Sequence, residues 1–143
     1  MRKLIYLFPL FLIGCGDNCE FKTTFFKTGE VQTIQKNIDC DASKGIENIS
    51  YNKIGTIIKL EHKLTENDSI SRKLFFDEGN LKSIYFEVNH NKTGVHKKFF
   101  KNGKIRSLTS YLNGEKHGDA FEWYEDGKVR KQVTYNNDSL IQQ

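Results

Sequence analysis

The chain, 143 residues long, predicts an all-β fold, an elongated antiparallel sheet of about five repeated β-hairpins. Three observations carry that reading. Gly55, Gly79, Gly103 and Gly127 recur at equal intervals of 24, and Gly29 precedes them by 26. An aromatic stands four residues before each glycine (Phe25, Tyr51, Phe75, Phe99, Trp123) and an aliphatic residue two after it (Val31, Ile57, Leu81, Ile105, Val129). No stretch of comparable length carries an apolar stripe at helical spacing with caps at its ends.

The first element is a leader. Arg2 and Lys3 make a positive start, Leu4 to Ile13 is apolar, and Leu12-Ile13-Gly14-Cys15 puts a small residue directly before cysteine, which is the secretory pattern. The apolar run is only half the roughly 20 residues that a spanning helix needs. The segment resembles the lipobox of bacterial lipoproteins. That resemblance implies a signal peptide at 1–14 that is removed, a lipid on Cys15, and a polar tether over 15–24 that leads into a repeat domain at 25–143. Two or three acyl chains anchor a protein durably where one is marginal. The expected address is therefore the bacterial cell envelope, on a membrane that the residues do not choose. With Cys15 assigned to lipid, Cys19 and Cys40 are left as a pair, and an exported compartment permits their disulfide. Its loop of about 20 residues would stabilise the fold by about 3 kcal/mol. Two free buried thiols are the alternative.

The repeat units come next. Asn102-Gly103 and Asp126-Gly127 read as hairpin turns in which both residues take positive φ, with a softer version at Gly79. Flanking runs such as Val95 to Lys101 and Lys104 to Tyr111 are rich in aromatic and β-branched residues, as half-solvated strands require. A second turn between units is expected weakly at Asn91-Lys92-Thr93-Gly94 and clearly over Asn113 to Gly118. Two strands per unit give about ten. Five residues after each glycine stand Ile34, Leu60, Ile84, Leu108 and finally Gln132, the polar lapse expected of a terminal cap.

The series Phe75-Phe76-Asp77-Glu78-Gly79-Asn80-Leu81, Phe99-Phe100-Lys101-Asn102-Gly103-Lys104-Ile105 and Trp123-Tyr124-Glu125-Asp126-Gly127-Lys128-Val129, with the linker Tyr111 to Gly118, resembles the variant form of the MORN (membrane occupation and recognition nexus) repeat. The resemblance is good from about Leu74 to Asn137 and loose from Phe25 to Leu64, where Asn52 replaces an aromatic. It implies successive antiparallel hairpins, and some bacterial members carry an antitoxin-like label.

Composition narrows the function. With 28% charged residues and a mean hydropathy of −0.60, the chain is one domain and no multi-span membrane protein. Losing Arg2 and Lys3 with the leader leaves 20 basic against 18 acidic side chains, a balance too weak for a nucleic-acid partner. The 11 Phe, 6 Tyr and 1 Trp are the natural source of core. His62, His90, His96 and His117 lack metal-ligand spacing, so neither a metal nor another cofactor is expected. There is no Gly-x-Ser-x-Gly, phosphate loop or dinucleotide fingerprint. His117, beside Gly118 and close to Asp119, is the only acid–base candidate, and a solvated turn explains it better. Lys97, Lys98, Lys101, Lys104 and Arg106 surround Phe99 and Phe100, a mix that also arises wherever lysines keep a strand soluble.

The aromatic pairs say more. Neighbouring strand residues face opposite sides, so if Phe75, Phe99 and Trp123 enter a core, Phe76, Phe100 and Tyr124 form a ladder on the other face. They are the binding-surface candidates, unless both faces are buried by curling of the sheet or by a partner. The reading is a membrane-anchored, non-catalytic binding or scaffold lipoprotein that engages a protein or envelope component. The alternative is an immunity or antitoxin-like protein that neutralises a toxic partner.

Overall fold

A computed structural model describes residues 21–37, 43–64 and 69–141. Cys15, Cys19 and Cys40, with the leader, fall outside these residues, so neither the lipidation nor the disulfide is placed. The described chain is all β. Eleven antiparallel strands form one sheet in simple sequence order, a continuous meander. They are β1 (Phe21–Phe25), β2 (Val31–Asn37), β3 (Ile46–Tyr51), β4 (Ile57–Lys63), β5 (Ser69–Phe75), β6 (Leu81–Val88), β7 (Asn91–Phe99), β8 (Ile105–Leu112), β9 (Glu115–Trp123), β10 (Val129–Asn136) and β11 (Ser139–Ile141). Phe21 already pairs with Lys36, and β11 adds one strand to the ten expected from five hairpins. At about 4.8 Å per strand the sheet is about 48 Å wide.

The recurring glycines close one kind of turn. In each unit the residue after the aromatic donates its N–H across the hairpin, as Phe100 does to the Lys104 carbonyl (2.8 Å), and accepts from the glycine N–H (Gly103, 3.0 Å). The same two bonds recur at Phe26, Asn52, Phe76 and Tyr124. Each glycine has positive φ, between 82° and 103°, while Asn102 and Asp126 do not. These are therefore three-residue loops ending in a glycine bulge, not the two-residue turns expected from Asn-Gly and Asp-Gly. Asn102 and Asp126 instead accept from the backbone N–H two residues on, that of Lys104 (3.0 Å) and Lys128 (2.9 Å).

The opposite ends of the strands carry the two-residue turns. Asn89-His90, Asn113-Gly114 and Asn137-Asp138 all take positive φ at both central residues, and they join Val88 to Asn91, Leu112 to Glu115 and Asn136 to Ser139. The turn expected at Asn91–Gly94 thus lies at Asn89-His90, and that expected over Asn113–Gly118 occupies only Asn113-Gly114. Gly94 and Gly118 sit inside β7 and β9, where the pairing register slips and positive φ is needed.

No second layer covers the sheet among the described residues, and none of their side chains is fully buried. Among the described residues only Gly45, Ser69, Ile70 and Ala120 are buried, so the aromatics pack half-exposed along the sheet instead of forming an enclosed core. Cohesion comes from the ladder and from cross-strand pairs. One face bears the row Ile34, Ile49, Leu60, Lys73, Ile84, Lys97, Leu108, Phe121 and Gln132, which are register partners in turn. The Glu47 carboxylate on that face accepts from Lys36 and His62, each at 2.7 Å. The other face bears a tighter network. Arg72 on β5 donates Nε to Glu61 of β4 (2.5 Å) and Nη1 to Glu87 of β6, while Lys59 holds the second Glu61 oxygen at 2.7 Å. Burial resists ionisation of Glu61, and the Lys59 and Arg72 hydrogen bonds outweigh it, holding its carboxyl below the ordinary range. Glu47 is held down in the same way by Lys36 and His62.

Candidate binding face

The face that carries Arg72 also carries a repeated pairing of rings and cations. Its origin is a second bulge in each hairpin. Phe75 pairs with Leu81 but Leu74 with Ser83; Phe99 pairs with Ile105 but Lys98 with Ser107; Trp123 pairs with Val129 but Glu122 with Lys131. One residue is left without a partner each time: Lys82, Arg106 and Arg130. A bulge re-aims the extra side chain, and here it goes over the ring at the mouth of the turn. Lys82 Nζ lies 5.7 Å from the Phe76 centroid, and the Arg106 and Arg130 guanidinium carbons lie 5.9 Å from Phe100 and Tyr124. At exposed sites each pair contributes about 0.5–1 kcal/mol. Gln32 and Ile58 hold the bulge in the first two hairpins, facing Phe26 and Asn52, so complete rungs exist only from β5 onward.

A second row runs along the other ends of the same strands. Lys92 lies over Tyr111 at 5.4 Å and Lys116 over Tyr135 at 5.0 Å. Neighbouring turns are stitched by polar bonds. Asn80 donates to the Lys101 carbonyl (2.9 Å), Lys101 pairs with Glu78 (2.7 Å), and Lys104 donates to the Glu125 carbonyl (3.2 Å). The rungs are thereby held at a fixed spacing. Between the last two rungs a groove of about 510 Å³ opens, lined among others by Lys98, Phe100, Arg106, Glu122, Tyr124 and Arg130. Two carboxylates also line it: Glu122, 3.8 Å from Arg130, and Glu125, which accepts from the Asn102 amide at 3.1 Å.

The sequence-nominated Phe76, Phe100 and Tyr124 thus share one face and one row, and Tyr124 is the most open at 54% exposure. Trp123 belongs to the other face, stacked on Phe121 at 5.7 Å. Sequence reasoning missed Lys82 and Arg130 and saw Arg106 only as one basic residue among several. The signal was a cation three residues after each of the last three glycines, again at intervals of 24.

His117 lies within β9 and not in a loop. Its Nδ1 meets Asn137 Oδ1 at 3.0 Å, and Asp119 accepts from Thr134 Oγ1 at 2.7 Å, so the two groups are occupied separately. Among the described residues no three His, Cys, Asp or Glu side chains gather as metal ligands.

His96 is set differently. Its ring lies between Tyr85 (5.0 Å) and Tyr111 (4.5 Å), with Nε2 buried and without a partner. Burial holds its imidazole below the ordinary value against a hydrogen bond to the Phe86 backbone, and Lys92 and Lys98 add to the lowering while Glu87 opposes it. A lowered folded value means that stability is full above the unfolded value of 6.5 and is lost as pH falls through the folded one. Glu47 and Glu61 behave alike, but their loss begins only below 4.5. Urea midpoints measured from pH 8 to pH 4 should therefore decline in two stages, and His96→Phe should remove the upper one alone. A midpoint flat between pH 7 and pH 5 would contradict the burial of this ring.

No curated protein matches the chain. Residues 92–113 and 116–137 match the MORN repeat variant family. Their boundary falls at the Asn113-Gly114 turn, and the three earlier hairpins close with the same pair of turn bonds. The hairpins of β7–β8 and β9–β10 are thus similar to MORN-variant repeats, and the earlier hairpins share their bulged turn.

Proposed function

We propose that this protein is a membrane-anchored lipoprotein that acts without catalysis, as a binding or scaffold module engaging a protein or envelope component through its repeat sheet. The observation that supports it most is the row of three cation-covered rings, Phe76, Phe100 and Tyr124, displayed at one repeat interval on an uncovered face. Rings and arginines ordered before a ligand arrives lose little entropy on binding, which is why such residues concentrate at interface hot spots. The leader and Cys15 supply the tether.

The test is affinity capture of the intact protein from its native membrane, beside Cys15→Ala and the triple variant Phe76→Ser/Phe100→Ser/Tyr124→Ser. Cys15→Ala should move the protein out of the membrane fraction. The triple variant should stay there and lose at least nine-tenths of a stoichiometric partner. A Cys15→Ala protein still in the membrane fraction, or a partner retained in full by the triple variant, contradicts the proposal.

A further inference from the structure

We infer that the rung face of β5–β10 docks an acidic segment of a partner protein in the polyproline II conformation, with a carboxylate at every third residue. This rests on the binding role proposed above and adds the ligand's chemistry and period.

The argument begins with spacing. Successive rungs stand on alternate strands of one sheet, hence two strand spacings apart, about 9.6 Å. A polyproline II chain advances about 3.1 Å per residue and turns once every three, which repeats each side chain about every 9.3 Å. The match holds across three rungs with an accumulated slip under 1 Å. A β-strand ligand repeats a face every two residues, or about 6.6 Å, and drifts out of step at the second rung.

Chemistry agrees with the spacing. Lys82, Arg106 and Arg130 each cover a ring, and a guanidinium stacked on a ring keeps its edge N–H donors free for bidentate carboxylate. Lys98 adds charge inside the groove, where Lys98, Arg106 and Arg130 outnumber the carboxylates Glu122 and Glu125, and Glu125 already accepts from Asn102 at 3.1 Å. Exposed ring surface beside those cations suits the flat, rigid pyrrolidine rings of a proline-rich segment, and such segments are already extended before binding. The opposite face has Lys73 and Lys97 embedded in its aliphatic row and, among the described residues, no matching series of ring and cation.

The experiment is an anisotropy titration of the full chain in detergent with a labelled peptide of six Glu-Pro-Pro repeats. A peptide of the same composition with its six Glu in one block, and one with Gln replacing Glu, serve as comparisons. Saturable binding is expected for the periodic peptide, at least fivefold weaker for the block peptide and at least tenfold weaker for the Gln peptide. Arg106→Gln/Arg130→Gln should weaken the periodic peptide at least tenfold with an unchanged far-ultraviolet dichroism spectrum. Lys73→Gln/Lys97→Gln, an equal charge change on the other face, should shift it less than twofold. Equal affinity for the periodic and block peptides overturns the proposal, as does indifference to Arg106→Gln/Arg130→Gln. So does binding confined to phosphatidylglycerol vesicles with no peptide bound. A failed titration beside a successful membrane capture removes this ligand and leaves the scaffold role standing.

Discussion

Gly45→Ala should destabilise the sheet by about 3 kcal/mol, the largest single effect expected of any glycine among the described residues. Gly45 enters β3 at φ +115°, and a Cβ there would lie 2.1 Å from the Lys63 carbonyl oxygen and 2.9 Å from the Leu64 Cα. Both obstacles are backbone, so relief requires the ends of β3 and β4 to part, and with them the Ile46–Lys63 pairing. Gly103→Ala is the matched comparison, with φ +83° and nothing within 4 Å of the added carbon. Its cost is conformational alone, about 1 kcal/mol. Urea midpoints of the two variants decide the matter, and equal losses would refute the close approach at Gly45.

Arg72→Ala should cost about 2 kcal/mol, more than any other charge deletion in the sheet. The guanidinium bridges Glu61 and Glu87 and lies 5.6 Å from the Tyr85 ring centroid. Its side chain is 22% exposed, against 15% for Glu61 and 13% for Glu87. Deleting one partner of a fully buried ion pair costs about 3–5 kcal/mol, and solvent access at this open face lowers that figure. Two carboxylates are left facing each other across β5, with Lys59 on Glu61 and Lys92 opposite Glu87 in the register. The deficit should shrink below pH 4.5 as Glu61 protonates. Adding Glu61→Gln and Glu87→Gln should recover most of the loss, which a simple loss of packing would not do. Lys101→Ala, whose pair with Glu78 is 66% and 55% exposed, should have little effect.

The fold was legible because one pattern recurs five times. The glycine interval located all five bulged turns, and the aromatic and aliphatic flanks located the strands that meet there. The turn type was not legible from the dipeptides. Asn-Gly serves both a two-residue turn and a three-residue loop, since each places glycine at positive φ. What decides is the pairing of Phe99 with Ile105, whose five intervening residues are too many for the shorter loop. The turn at Asn89-His90 and the turn at Asn137-Asp138 lack glycine and rely on the tolerance of Asn, Asp and His for the left-handed region, a weaker signal. For that reason β11 was missed and Gly94 was taken for a turn.

The binding candidates were half legible. Alternation put Phe76, Phe100 and Tyr124 on one face, but alternation cannot show that a bulge turns Lys82, Arg106 and Arg130 onto the same face. Their shared interval was visible, while their meaning depended on a register slip that only the paired strands reveal. Nor could the sequence show that the sheet is a single open layer, because half-buried and fully buried strands differ little in a chain this rich in lysine.

Lys97 and Lys98 provide the most direct measurement of whether the rung face is the one that binds. They are adjacent in β7, both exposed, and paired on opposite faces with Leu108 and Ser107. Amine acetylation of the captured complex, read by mass spectrometry against the free protein, should show Lys98 protected at least fivefold and Lys97 unchanged. Protection of Lys97 with Lys98 still reactive would put the partner on the aliphatic face and contradict the account.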